Sequence, residues 1–311
     1  MKGRINIVKL AQHLGLSVST VSKALNNRED VSKVTKQRVL AAASELGFSP
    51  DPTGRRLRSG TSETIGFVLS YPQAHFAQPF FLDLLAGIDQ ELEKTPYQLV
   101  IVTGRSIESE IDSFRRLVEQ QRVDAVMFGR TRKEDARIQF LQDRGVPFAT
   151  LGRSETGNPF PFVDIDRTVA GRNGTARFIG LGHRRIGLIM GPSDISTAWE
   201  RMTGYRQAFE ARGLPIDETL IRQGDYSTGA GYQLLGELMD LPMPPTAVFT
   251  TNHETTLGAI TAAFERKLRI PEDLSFIGYD DTQLTQIISP PISIVLQPAG
   301  LLAAEAASLL I

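Results

Sequence analysis

The chain of 311 residues contains no cysteine, which excludes disulfide frames, thiolate metal sites and cysteine nucleophiles. Tryptophan occurs once, and the four histidines, His13, His75, His183 and His253, are scattered without metal-ligand spacing. No apolar run approaches the length that crosses a bilayer. The amino-terminal stretch is polar and lacks the apolar core of an export signal, so the expected location is the cytoplasm, away from membranes. Also missing are a phosphate loop, a dinucleotide fingerprint after the first strand and a Ser-His-Asp pattern. The one adjacent aspartate pair, Asp280 and Asp281, follows Gly278-Tyr279 and by itself makes no catalytic centre. An enzyme is therefore not expected, and neither is a cofactor or a metal.

What is present is concentrated first at the amino terminus. Residues 1–60 carry eleven Lys and Arg against four acids, a net charge of +7. The whole chain has a formal charge of −1, which leaves −8 for the rest. A near-neutral total thus conceals a basic arm on an acidic body, the footprint of a DNA-binding domain attached to something else.

The arm reads as a helix-turn-helix. Asn6 caps a first helix with Ile7, Leu10, Ala11 and Leu14 at helical spacing, and Gly15 ends it. Ser17 caps a second helix, 18–25, with Val21, Ala24 and Leu25 on one face and Val18, Ser19, Ser22 and Lys23 on the other. Ala11, Gly15 and Val21 are what a tight helix pair needs: a small residue at the crossing, a glycine free to take positive φ, and a branched anchor. A third helix starts near Ser32, turns Val39, Ala42, Ala43 and Leu46 inward and stops at Gly47, ahead of Pro50 and Pro52. The blander reading, a small helical bundle, does not account for the charge.

From Thr64 onward short apolar runs alternate with helical patterns: TIGFVLS, 80–93, YQLVIVT, 107–121, DAVMFG, 134–144, PFATLG. This rhythm specifies βαβ units and parallel sheets. A second set begins after Asp166 and runs through RIGLIMG, 200–212, TAVFTT, 255–267 and LSFIGYD. The expected body is therefore two similar α/β lobes, with ligands bound beyond the carboxyl ends of the strands, in the cleft between lobes.

INIVKLAQHLGLSVSTVSKAL (5–25), VSKVTKQRVLAAASELGF (31–48), PDPTGRRL (50–57), LGHRRIGLI from Leu181, GYRQAF from Gly204, FTTNHETTLGAI from Phe249 and LSFIGYDDT from Leu274 occur in this order. With them the chain resembles the LacI family (LacI/GalR) of bacterial transcription regulators. The resemblance implies an all-α helix-turn-helix headpiece (1–49), a hinge (50–61) and a periplasmic-binding-protein-like α/β effector and dimerisation domain (62–311). In that domain the first lobe is expected at 62–162 plus 291–311 and the second at 163–290. A periplasmic sugar-binding protein has the same two-lobed body, but it needs export and has no use for a basic helix-turn-helix.

The implied partners are double-stranded, pseudo-palindromic operator DNA, a second copy of the chain and a small effector. The second helix would lie in the major groove, with Val18 making apolar contacts, Ser19 hydrogen-bonding bases and Lys23 reaching guanine acceptors. Asn6, Ser17, Thr20, Ser22, Asn26 and Thr35 would serve the backbone, phosphates above all, or act as caps and solvated side chains. For the effector, the family match brings Phe80, Phe81, Arg153, Asp164, Thr197, Trp199, Arg201, Asn252 and Asp280 to the cleft. An aromatic face with carboxylate, amide and guanidinium groups suits a saccharide, with α-glucoside or maltose-type sugars foremost and a nucleobase as the alternative. Each has a plainer reading: Phe80, Phe81 and Trp199 as packing residues, Asp164 as the cap of the helix that begins near Asp166. His253 stands where an acid often follows the asparagine. Release of the operator by inducer is the commoner family logic.

In the hinge, Arg55 and the minor-groove leucine Leu57 match the family, whereas Asp51 and Gly54 replace its usual asparagine and alanine. Glycine costs about 0.8–1.0 kcal/mol relative to alanine inside a helix, and two symmetric hinges double the cost. Gly54→Ala is therefore expected to tighten operator binding, measured by fluorescence anisotropy; unchanged or weaker affinity refutes this. Finally, the sequence stops at Ile311 within a helical pattern, 301–310, after QPAG, whereas members of the resembling family usually continue through the helix end and closing strands.

Overall fold

The computed structural model describes residues 5–48, 61–70, 79–104, 106–280, 288–289 and 291–311. The chain divides into two units, Met1–Ser62 and Glu63–Ile311.

In the first unit, α1 (Ile7–Leu14), α2 (Val18–Leu25) and α3 (Lys33–Glu45) enclose one small core. Each helix opens on a side-chain cap that satisfies an otherwise orphaned N–H. Asn6 Oδ1 accepts from Lys9 N, Ser17 Oγ from Thr20 N and Ser32 Oγ from Thr35 N, at 3.0, 3.0 and 3.2 Å. Gly15 closes α1 at φ 64°, a left-handed conformation that costs glycine nothing. Leu10, Ala11, Leu14, Val21, Ala24, Val39, Ala42 and Ala43 are buried together. Arg38 on α3 donates to the carbonyl of Leu14 at the end of α1 over 2.8 Å, pairing another terminal group.

The second unit holds two parallel sheets. The first comprises β1 (Thr64–Ser70), β2 (Gln98–Gly104), β3 (Ala125–Gly129), β4 (Phe148–Leu151) and β5 (Phe162–Val163), in the order β2-β1-β3-β4-β5. The second comprises β6 (Ile186–Met190), β7 (Ile221–Gln223), β8 (Ala247–Thr250), β9 (Ser275–Tyr279) and β10 (Ser293–Val295), in the order β10-β9-β8-β6-β7. Read from β7 the second order repeats the first, so each sheet has its topological switch point beside its first strand. Packed on the sheets are α4 (Pro79–Leu92), α5 (Ile107–Glu119), α6 (Ala136–Asp143), α7 (Arg167–Gly180), α8 (Ser196–Glu210), α9 (Thr228–Met239), α10 (His253–Glu265) and α11 (Ala299–Ser308).

The segment 291–311, expected wholly in the first lobe, divides. Strand β10 still pairs with β9 in the second sheet, and only α11 returns, against α4 of the first lobe. Val163, placed by the sequence in the second lobe, pairs with Leu151 in the first sheet. Helix α8 begins four residues before the expected Glu200, although no side chain caps it. Its first N–H, that of Ser196, donates instead to the carbonyl of Thr131 beyond β3 in the first lobe, at 2.9 Å. Long-range capping of this kind leaves no local mark in the sequence.

His183, in the LGHRRIGLI run, ties together the starts of the strands in the second sheet. Its Nδ1 lies 2.8 Å from Thr246 Oγ1 and its Nε2 3.0 Å from Ser275 Oγ. Burial holds its pKa below the ordinary histidine value. The unfolded chain therefore takes up this proton first, and the stability present above about pH 6.5 is lost as pH falls through the lower folded value. The melting temperature of His183→Gln, measured against pH, should fall less between pH 7 and 5 than that of the parent; parallel curves would contradict this role.

Among the described residues no helix is long and apolar enough to cross a membrane, and no cluster of His, Asp and Glu could hold a metal ion.

Candidate functional site

In the first unit the caps and core leave one face of α2 outward. Val21 and Ala24 are buried, whereas Val18, Ser19 and Lys23 are exposed, the three positions expected to meet base edges. Several of the expected phosphate contacts already serve the fold. Asn6 and Ser17 cap their helices, the Ser17 and Thr20 hydroxyls lie 2.8 Å apart, and Thr35 Oγ1 is 2.9 Å from Ser32 Oγ. Asn26 donates to the carbonyl of Ser22 at 2.6 Å. A hydroxyl keeps further capacity after accepting a cap bond, so these groups can still face a phosphate in a fixed orientation. The hinge residues Asp51, Gly54, Arg55 and Leu57 lie outside the described residues, as does Asp281.

Lys23 is held by an acid: its Nζ lies 2.5 Å from Asp30 Oδ2, both side chains about half exposed. The Lys23 hydrogen bond is also the main reason the Asp30 carboxyl stays below its usual range. Exposed pairs of this kind are weak, so DNA can recruit Lys23 at small cost. Asp30→Asn is expected to raise operator affinity about two- to fivefold, read by anisotropy at constant salt; a loss of affinity would show that Asp30 orients Lys23 usefully instead.

The second unit has a cavity where the carboxyl ends of β1 and β3 approach those of β6 and β8. Phe67, Val68 and Leu69 of β1, Phe80, Phe81 and Leu84 of α4, Leu151 and Leu302 line it from the first lobe, with Gly129 and Arg130. Arg167, Thr197, Arg201, Tyr226 and Asn252, with Gln297, line it from the second lobe and its return segment. The switch points thus coincide with the cavity, as the topology predicts.

The second-lobe wall is polar and tightly organised. Buried Arg201 donates through Nη1 to the Thr251 carbonyl at 2.5 Å and through Nη2 to Gln297 Oε1 at 3.2 Å, and its guanidinium lies 3.8 Å from the ring centroid of Tyr279. Gln297 passes the contact on, donating through Nε2 to Asp280 Oδ1 at 2.7 Å. Asp280 sits at φ 64° where β9 ends. Burial raises its carboxyl pKa, against the opposing charge of Arg201 and the Gln297 bond. Asn252 occupies the cap position of α10 without capping it; its Nδ2 donates to the Tyr226 carbonyl at 3.0 Å. Among the described residues its Oδ1 is buried with no partner, as is Arg201 Nε. Buried polar atoms left unpaired are costly, and here they stand beside a cavity.

At the lobe junction Asp164, almost fully buried, accepts from Arg153 Nε at 2.8 Å and from Arg167 Nη1. Glu200 lies 3.3 Å from Arg153 and 3.6 Å from Arg167. Burial first, then the Asp164 charge, raises the Glu200 pKa. Asp164 is therefore an ion-pair centre and not a helix cap; the cap of α7 is Asp166, whose Oδ1 accepts from Val169 N at 2.9 Å.

The structure brings Phe80, Phe81, Thr197, Arg201 and Asn252 together at the cavity, with Asp280 one residue behind. Arg153, Asp164 and Trp199 are not among its described lining residues; Trp199 is 45% exposed on α8. Arg130, Arg167, Tyr226 and Gln297 were missed. The QPAG run was visible, but nothing local in it points to a ligand. Arg130 and Tyr226 meet only across the cleft, guanidinium over ring at 5.3 Å.

Residues 6–51 match the family described as bacterial regulatory proteins, lacI family, and residues 175–311 match a periplasmic binding protein-like domain. The chain is 35% identical to the HTH-type transcriptional regulator CelR of Thermobifida fusca, across 99% of this chain and 91% of the relative. It is 33% identical to the HTH-type transcriptional repressor CytR of Escherichia coli K12, over 95% and 86%. Among solved structures, a transcriptional regulator CelR-cellobiose complex aligns at TM-score 0.74 and 34% identity, covering 99% of this chain and 92% of the other. The lac repressor dimer bound to operator and the anti-inducer ONPF aligns at TM-score 0.86 and 25% identity, with the same coverage.

Proposed function

The chain belongs to the LacI family of bacterial regulatory proteins, DNA-binding transcriptional regulators and not enzymes, and from that premise we propose that it represses a carbohydrate-utilisation operon under control of a small saccharide bound between its lobes. It acts as a homodimer, because one helix-turn-helix reads one half-site and a pseudo-palindrome needs two. Val18, Ser19 and Lys23 choose the sequence. Asn6, Ser17, Thr20, Ser22, Asn26 and Thr35 position the headpiece on the backbone, and Arg55 and Leu57 serve the hinge in the minor groove. What supports the DNA contact is the outward row on α2, anchored by its buried opposite face.

In the cleft Arg201, Asn252 and Asp280, with Gln297, take the saccharide hydroxyls, Thr197 adds a hydroxyl, and Phe80 and Phe81 supply an apolar wall. Arg153 and Asp164 act one step away by holding Arg167 at the cavity. The observation that carries the effector reading is the pair of buried polar atoms, Arg201 Nε and Asn252 Oδ1, that have no partner among the described residues and stand beside an apolar wall. The sugar class is a glucoside. The cellobiose held by a relative in its solved complex supports that class. Ligand binding shifts a pre-existing equilibrium between lobe arrangements and thereby changes operator affinity.

The test is selection from a random duplex library, followed by anisotropy titration of the recovered DNA with cellobiose, maltose and purines. A palindrome with half-site centres about one helical turn apart, released by one sugar, is the expected result. Recovery of no common sequence, or release by a purine alone, would refute it.

A further inference from the structure

Two loops from opposite lobes pair beside the cleft as a fragment of antiparallel sheet. Arg132, beyond β3, and Ile195, just ahead of α8, face each other in an isolated bridge. On either side of it Ser196 N donates to the Thr131 carbonyl at 2.9 Å and Lys133 N to the Asp194 carbonyl at 3.4 Å. Flanking bonds of this kind mark a non-hydrogen-bonded pair, the kind whose side chains stand closest. Arg132 Nε also lies 3.4 Å from Asp194 Oδ2, longer than a charge-assisted hydrogen bond, so this contact has room to tighten. The first-lobe loop is firmly rooted. Arg132 N donates at 3.1 Å to Asp135 Oδ2, the same oxygen that Arg137 Nη2 holds at 2.6 Å. Thr131 is fully buried, and its hydroxyl donates to the Arg153 carbonyl at 2.7 Å. The second lobe leans on this root. Ile195 stands at the cap position of α8 without a capping group, and the Thr131 carbonyl takes one of the N–H groups a helix start leaves orphaned. Both loops run straight into the cavity: Arg130 lines it from one side, Thr197 and Arg201 from the other. Arg130 is held at φ 50°, a conformation that a non-glycine residue keeps only where its surroundings impose it.

Resting on the effector reading above, we infer that this bridge is the latch through which the effector controls the operator. The latched arrangement is the one that ligand stabilises, with Arg130 as its ligand-facing end and Arg132 with Asp194 as its outer catch. Ligand held between Arg130 and Arg201 draws the two loops together. A weaker latch leaves fewer molecules in the binding-competent arrangement and lowers the apparent effector affinity by that fraction, with every ligand contact intact.

A chain without cysteine allows the latch to be locked by a single disulfide. Non-hydrogen-bonded pairs hold their Cα atoms about 4.5 Å apart, within disulfide reach, so the double variant Arg132→Cys/Ile195→Cys should oxidise, and its reduced form is its own control. Without ligand, the oxidised protein should bind the operator duplex recovered from the random library about tenfold or more weakly than the reduced protein. Cellobiose or maltose, whichever releases the parent, should change the oxidised protein no further. Equal or tighter operator binding in the oxidised form, or thiols that fail to pair, overturns the latch. Should neither sugar act on the parent while oxidation still releases the operator, the saccharide reading falls and the latch stands. In Asp194→Asn, an exposed position outside the cavity lining, the sugar concentration for half release should rise about two- to fivefold, with operator binding in the absence of sugar unchanged. No rise overturns the part given to the outer catch.

Discussion

Arg137→Leu is expected to lower the stability of the two-lobed unit by about 3–5 kcal/mol, the cost of leaving a buried ion network without one partner. The Arg137 side chain is fully buried, with Nη1 2.8 Å from Glu110 Oε2 and Nη2 2.6 Å from Asp135 Oδ2. Its Nε donates to Asp135 Oδ1 at 2.9 Å and Nη2 also to the Arg130 carbonyl at 3.0 Å, while the guanidinium lies 4.6 Å from the Phe128 ring centroid. Burial alone pushes the Asp135 carboxyl upward, but the Arg137 bonds and charge, with the N–H groups of Arg132 and Arg137, bring it below the usual range. Removing the cation strands two buried carboxylates. At ~2–4 °C per kcal/mol for a unit of this size, the melting temperature should fall by roughly 6–20 °C.

The same variant has a pH signature. Without Arg137, burial should hold the Asp135 carboxyl above its unfolded value, so the folded state binds a proton more readily and the deficit shrinks as pH falls. Adding Glu110→Gln should recover part of the loss at neutral pH. A drop under about 1 kcal/mol, typical of a surface pair, would contradict the account. Because Arg137 also fixes the Arg130 carbonyl, and Arg130 lines the cavity, effector affinity should weaken along with stability.

Arg201→Met is expected to weaken effector binding about hundredfold, the loss of roughly two hydrogen bonds from a charged donor. Operator binding without effector should stay within a few-fold, since Arg201 lies in the other unit of the chain from the headpiece. Arg201→Lys should recover little, because an ammonium cannot reproduce the guanidinium fork that meets Thr251 and Gln297 together. Anisotropy of the operator complex against effector concentration measures both quantities. A response retained within threefold would remove Arg201 from the site.

How much of this was legible in the sequence depended on how local its cause was. The headpiece could be read almost to the residue, because caps, small crossing residues and a left-handed glycine act within a few positions. Strands such as β1, β3, β6 and β8 are continuous apolar runs buried on both faces, and they read equally well. The short strand β7 and helix α9, glycine-containing and close behind it, gave no comparable pattern. Arg137 illustrates the limit: an arginine in a helical pattern reads as a solvated face, and only the fold sets it between two acids beside Phe128. Tyr226 is similar. It takes φ 70°, and its ring occupies the space that a side chain at Gly191 would fill, a relation between residues thirty-five positions apart. In the cleft, motif matching found Arg201 and Asn252, but the relay through Gln297 needed the return of the chain along β10.

Whether a saccharide binds between the lobes at Arg201 is read from a thermal-shift titration of the full chain with mono- and disaccharides, aryl glucosides and purines, run beside Arg201→Met. Ligand that binds the folded state alone adds about 2.7 kcal/mol at a hundredfold excess over its dissociation constant. A dose-dependent rise with a glucoside, absent in the variant, is the expected result. A rise with a purine alone, or a glucoside shift that Arg201→Met leaves unchanged, would contradict it.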